Sequence, residues 1–162
     1  MRKVGVLLVT LVVVVVIPRL AGQSHSRGEA AKRIIGTWRL VSVVENGQPD
    51  PKRGARPTGL IYYDRSGQMA VQIMPERPRP KYASSEPTPD EAKAAVVGYG
   101  AYFGTYTLDT RARTVTHHRQ GSINPGDVGV DAVRRYEFSP GDRLILTPLE
   151  SPARHLTWER IK

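Results

Sequence analysis

Gly36-Thr37-Trp38-Arg39-Leu40-Val41-Ser42-Val43-Val44-Glu45 is a β-branched and aromatic run that ends at Asn46-Gly47. Such residues fit a pleated, half-buried surface, and Asn-Gly is a turn signal. Working outward, the same pattern recurs. Residues 59–63 meet Asp64-Arg65-Ser66-Gly67 and continue as 68–74, which reads as strand, four-residue turn with glycine, strand. Residues 101–109, 114–121, 132–138, 143–147 and 154–161 read as further strands, separated by turn-forming clusters such as Ser139-Pro140-Gly141-Asp142. About eight short strands joined by hairpin turns make an all-β antiparallel meander, whose natural product is an up-and-down barrel or a sandwich.

One stretch breaks the pattern. Five prolines fall within residues 75–89, and proline cannot donate to a strand ladder, so this is a loop. It runs into Thr88-Pro89-Asp90-Glu91, where Thr88 fits an N-cap, Pro89 the first helical position and Glu91 the third residue of a capping box. Ala92, Ala95, Val96 and Tyr99 repeat at helical spacing, so one short amphipathic helix is expected around residues 89–99. The loop and this helix are the expected mouth or lid of the barrel.

The chain has 162 residues, a net charge of +9 and no cysteine. That length is one domain plus its ends. Without cysteine there is no disulfide framework, thiol nucleophile, Cys-ligated metal or lipidated-cysteine anchor. Arg2 and Lys3 precede an uncharged apolar run over residues 4–17, followed by small and polar residues up to Ser24. Basic end, apolar stretch and small-residue exit are the order of a secretory signal, and the run is shorter than the ~20 residues of a membrane-spanning helix. Residues 1–22 are therefore expected to be a signal peptide, with an uncleaved anchor as the alternative. Residues 23–33 are expected to be a linker ending in a helical turn, and residues 34–162 the barrel domain. The protein is expected outside the cytoplasm, periplasmic or secreted and monomeric, touching a membrane only through its N-terminal segment if that is retained.

Without residues 1–22 the chain keeps 21 basic and 15 acidic side chains. The basic ones are scattered and no helix concentrates them, so a nucleic-acid partner is not expected and the charge reads as solubility.

Strand alternation assigns side chains to faces. Trp38, Leu40, Ser42 and Val44 share one face of the first strand. Tyr102, Tyr106 and Leu108 share another, as do Val115, His117 and Arg119; Arg134, Tyr136 and Phe138; and Arg154, Leu156, Trp158 and Arg160. Several of these inward candidates are polar. A solid core does not choose such groups, because each buried donor needs a partner, whereas a barrel with a solvated cavity does. The ligand-binding candidates are Tyr63, Tyr102, Tyr106, His117, Arg119, Arg134 and Tyr136.

Gly36-Thr37-Trp38 at the start of the meander, with Trp158-Glu159-Arg160 at its end, resembles the lipocalin arrangement. There a Gly-x-Trp opens the barrel and a late arginine stacks across the tryptophan. The resemblance implies that Trp38 and Arg160 close one end. Tyr63-Asp64-Arg65-Ser66-Gly67-Gln68-Met69, Ala101-Tyr102-Phe103-Gly104-Thr105-Tyr106, Thr114-Val115-Thr116-His117-His118 and Leu144-Ile145-Leu146-Thr147 look like the bacterial and fungal lipocalin-like domain family. The similarity runs from about Ile35 to Arg160. It implies a calycin-type barrel with a small-molecule pocket and no agreed chemistry.

The acid–base candidates are few. His117 and His118 are adjacent, so on a strand they face opposite ways and cannot share a metal; no metal or cofactor is expected. No G-x-S-x-G elbow or G-x-G-x-x-G loop is present. Three functions stay open. The first is binding of a small, partly apolar ligand with a polar or anionic group, in a cavity of a few hundred Å3. The second is an isomerase or cyclase using His117 as acid/base with Tyr106. The third is a filled-core structural or interaction barrel.

Overall fold

The computed structural model describes residues 21–162; apart from its last two residues, the expected signal segment 1–22 lies outside that range. Among the described residues there are nine strands, joined by turns and longer loops: β1 (Gly36–Glu45), β2 (Gln48–Pro49), β3 (Thr58–Tyr63), β4 (Gln68–Met74), β5 (Gly100–Asp109), β6 (Thr114–Ser122), β7 (Asp131–Ser139), β8 (Arg143–Pro148) and β9 (Arg154–Arg160). β2 is a two-residue extension folded back on β1. The other eight pair antiparallel in chain order, and β9 returns to pair with β1. The all-β up-and-down barrel expected from the sequence is thus closed, and closure removes exposed sheet edges without any disulfide.

The turn chemistry is what the sequence demands. Asn46 and Gly47 both have positive φ, and Glu45 pairs with Gln48 across them, the two-residue hairpin that such φ values permit. In the β3–β4 turn the Asp64 carboxylate accepts from the backbone N–H groups of Ser66 and Gln68, both at 2.8 Å.

Among the described residues there are also two α-helices. α1 (Ala21–Ile34) occupies the stretch expected to be a linker with one helical turn. α2 (Pro89–Val96) begins with the expected capping box, Thr88 exchanging hydrogen bonds with Glu91. It is shorter than its apolar spacing suggested and has no buried residue. Gly98, with φ 75°, ends the helical course, and a Cβ there would strike the Lys52 carbonyl. α2 is instead held by the proline-rich loop, through hydrogen bonds from Arg77 to the carbonyls of Ala94 and Val97 and from Arg79 to that of Ala95.

The core lies inside the barrel, where Trp38, Ile61, Met69, Val71, Val115, Leu144, Leu146 and Trp158 are buried together. Alternation holds in most strands and fails in β1. Leu40 pairs with Trp158 but Ser42 with Thr157, so Val41 is an extra, bulged residue. A bulge shifts the inward set by one. Trp38, Leu40 and Val43 are buried, and Ser42 and Val44, expected on their face, are not.

One end of the barrel is closed by α1 and the chain's last strand. The Trp38 indole N–H donates to the Ile34 carbonyl at 2.9 Å, and Ile34 is wholly buried. The Arg160 guanidinium lies 4.1 Å from the centroid of the Trp38 ring and donates to the carbonyls of Ile35 and Arg33. Gly36 makes room for it: its φ is 134° and a Cβ would sit 2.5 Å from Arg160 Nη1. The glycine, tryptophan and arginine are therefore one device. Arg160→Ala removes the cation–π contact and the carbonyl hydrogen bonds, and is expected to cost about 2 kcal/mol in chemical denaturation. A loss under about 0.5 kcal/mol would refute this account of the closure.

Candidate functional site

The polar residues run from Tyr63, which pairs with Gly36 beside the plug, to a rim at the opposite end of the barrel. His117 points inward from β6, opposite the small Ala132 of β7, and is fully buried. Its Nε2 lies 2.7 Å from the Tyr63 hydroxyl and its Nδ1 2.8 Å from the Tyr102 hydroxyl. Tyr63 stands at the end of β3 and Tyr102 near the start of β5, so three strands meet at one imidazole. Burial pushes the His117 pKa well below its ordinary value, and the nearby Arg134 and Arg119 charges push the same way. The imidazole is neutral at pH 7. Burial, reinforced by Tyr102, raises the Tyr63 pKa well above the usual range. Burial also raises that of Tyr102, against the pull of Arg134.

Above this triad lies a cavity of about 140 Å3. Its walls are apolar on one side, with Ile61, Val71, Ile73, Leu146 and Leu156, and polar at the rim, with Arg53, Tyr102, Arg134, Glu150 and Arg154. Arg134 is ion-paired to Glu150 at 3.1 Å, and its charge acts on the nearby Tyr102 hydroxyl. Burial works against its charge, but the Tyr102 and Glu150 contacts outweigh that and raise its pKa. Arg53 and Arg154 converge on Asp50, which is 2 % exposed; Arg53 lies 3.4 Å from its carboxylate and Arg154 closer still. Two buried donors, Arg53 Nε and the Trp158 indole N–H, have no hydrogen-bond partner among the described residues. Both residues line the cavity.

Of the residues expected at a site, Tyr63, Tyr102, His117 and Arg134 come together. Tyr106 packs edge-on against Tyr63 at 4.9 Å, but its hydroxyl donates to the Asp64 carbonyl and not to His117. Arg119 is ion-paired to Asp127 at 3.1 Å and donates to the Val130 carbonyl, leaving its charge outside the cavity lining. Tyr136 is buried in the core against Phe138, away from the cavity. His118 faces outward to Asp131 at 2.7 Å, as alternation requires. The proline-rich loop does not line the cavity, which is bordered instead by Arg53, Gly100 and residues of the β8–β9 turn. The loop acts on that border indirectly: Glu76 donates its backbone N–H to the Arg53 carbonyl, and its carboxylate holds Arg56 at 2.9 Å.

Asp50, Arg53 and the orphaned Trp158 donor were not anticipated. Asp50-Pro51-Lys52-Arg53 has the composition of an ordinary turn, and only the closed barrel brings it over the β9 rim. Arg154 carried a usable signal, since alternation placed it on the inward face with Leu156 and Trp158.

A closed eight-stranded barrel, a Gly-x-Trp and arginine plug at one end and a polar-rimmed cavity at the other now stand together. The sequence model of the lipocalin-like domain family matches residues 35–161. The chain belongs to that family. No curated protein matches it. The lipocalin-like domain begins one residue before β1 and ends one residue after β9, so it contains every strand and the whole cavity. α1 lies outside the match, although Ile34 and the Arg33 carbonyl take part in the plug.

Proposed function

We propose that this lipocalin-like protein is exported and binds one small, partly apolar ligand through a polar or anionic group at the rim of its barrel. The carrying observation is the cavity itself: an apolar wall, a cationic rim and two buried donors without partners. A buried donor left unpaired costs roughly 1–3 kcal/mol, a cost that a bound acceptor relieves. The cavity is smaller than the usual 300–1,000 Å3 of drug-sized pockets, so the ligand is small. The N-terminal signal pattern supports export, and one complete cavity per chain supports action as a monomer.

The isomerase or cyclase reading has weaker support. Both His117 nitrogens are engaged by tyrosine hydroxyls, and the imidazole meets the cavity beside Tyr102, an arrangement that suits positioning more than proton abstraction. The filled-core reading accounts for the lower barrel but not for the rim.

Native mass spectrometry of the full chain purified from its source cells tests the proposal. A retained small molecule, and a rise in Tm when that molecule is added back to stripped protein, is the expected result. An apo mass together with no Tm rise across a panel of small acids, alcohols and amides would overturn it.

A further inference from the structure

Resting on that reading, we infer that the cavity is an all-donor site for a compact monocarboxylate, whose carboxylate meets Arg134, Arg154 and the Tyr102 hydroxyl while its apolar body faces Ile61, Val71 and Leu146. Three observations carry this: proton direction, charge and size.

Proton direction comes from the buried triad. The Tyr63 hydroxyl is enclosed, and its one hydrogen-bond partner among the described residues is His117 Nε2. Its proton needs an acceptor, so Tyr63 donates and Nε2 accepts. A neutral imidazole then carries its own proton on Nδ1, which donates to the Tyr102 oxygen. Because Nδ1 already carries a proton, the Tyr102 hydroxyl cannot donate back to it, and its own proton is left for the cavity that Tyr102 lines. The triad thus turns a group of either polarity into a fixed donor. Tyr102 joins Arg53, Arg134, Arg154 and the Trp158 N–H in the lining. Glu150 is the single carboxylate there; Arg134 engages it, and its side chain is 63 % exposed.

The charges agree. Three guanidinium groups line the cavity, and Asp50 and Glu150 are their counterions, which leaves one positive charge uncompensated. Arg119 is matched by Asp127 and does not alter the balance. One excess positive charge in a partly dry pocket selects a monoanion over a neutral isostere or a dianion. Size narrows it further. A cavity of about 140 Å3 is close to the ~150 Å3 that accommodates a benzene ring. Benzoate or a short branched aliphatic acid fits this description.

Isothermal titration of the full chain with benzoate, benzamide, benzyl alcohol and phthalate tests the inference. Benzoate is expected to bind at least about tenfold more tightly than the neutral pair and than the dianion. Tyr102→Phe should weaken benzoate about tenfold, with circular dichroism unchanged. Arg154→Gln, a rim change that leaves the triad intact, should weaken it at least as much should Tyr102→Phe fail to fold. Equal or tighter binding of benzamide or benzyl alcohol would overturn the all-donor site and leave the small-molecule reading standing. Binding of none of the four, with a native mass that shows a retained ligand, would also overturn it. Binding of none, with no retained ligand, would remove both.

Discussion

Asp50→Ala is expected to destabilise the protein by about 3 kcal/mol and to lower Tm on the order of 10 °C. The carboxylate is almost completely buried and answers two guanidinium groups at once, Arg53 and Arg154. Its Oδ1 also accepts from the backbone N–H groups of Lys52 at 2.8 Å and Arg53 at 3.1 Å, which folds the chain over the barrel mouth. Removing it leaves two like charges facing each other. The arginine side chains keep 18 % and 26 % exposure, so water screens part of that repulsion. For this reason the expected loss sits at the low end of what breaking a buried pair costs. Burial already holds the Arg53 pKa below its ordinary value, with Arg154 adding to the effect and Asp50 opposing it. Asp50→Asn retains an oxygen for the turn and loses only the charge, so about half the effect is expected. Urea denaturation of the two variants separates the contributions. No loss in Asp50→Asn would show that the ion pairs add nothing beyond the turn, and equal losses that the turn oxygen adds nothing beyond the ion pairs.

This residue marks where sequence reading stops. The meander, the β5 to β9 faces and the plug were legible because they are local: alternation at period two, turn residues with required φ values, and a glycine beside a tryptophan. β1 was misread beyond Leu40 because a bulge leaves no mark in a valine-rich run, where Val41, Val43 and Val44 are chemically equivalent. The triad was half visible. Tyr102 and His117 share inward faces of neighbouring strands, so their contact follows from pairing order. Tyr106, directly opposite His117 in register, looked the better partner, and the barrel's tilt hands that place to Tyr63 and Tyr102. The Asp50 cluster was invisible. Its members are 104 residues apart in the chain and meet only through closure. The proline-rich loop drew attention as a lid because its composition is unusual, yet composition reports backbone constraint and not position over a cavity.

His117→Phe is expected to cost about 3 kcal/mol, more than its change in volume warrants, because it strands hydroxyls and not because it loses packing. Tyr63 has His117 as its sole partner among the described residues, whereas Tyr102 lines the cavity. Tyr63→Phe alone leaves Nε2 as a buried acceptor without a donor and should cost about 1–2 kcal/mol. The double variant Tyr63→Phe/His117→Phe removes both members of the pair, and roughly 1–2 kcal/mol of the summed losses should return in a double-mutant cycle. Strict additivity would mean that the hydrogen bond contributes nothing specific. The pH profile supplies an independent readout. The His117 pKa in the folded protein lies well below 6.5, so at acid pH the unfolded chain takes up a proton that the native state refuses. Stability from this group is complete above the unfolded value of 6.5 and falls as pH drops below it toward the folded value. Denaturation midpoints of the parent should therefore decline between pH 7 and 5 more steeply than those of the double variant. Parallel profiles would place the imidazole in water and would remove the fixed donor at Tyr102 with it.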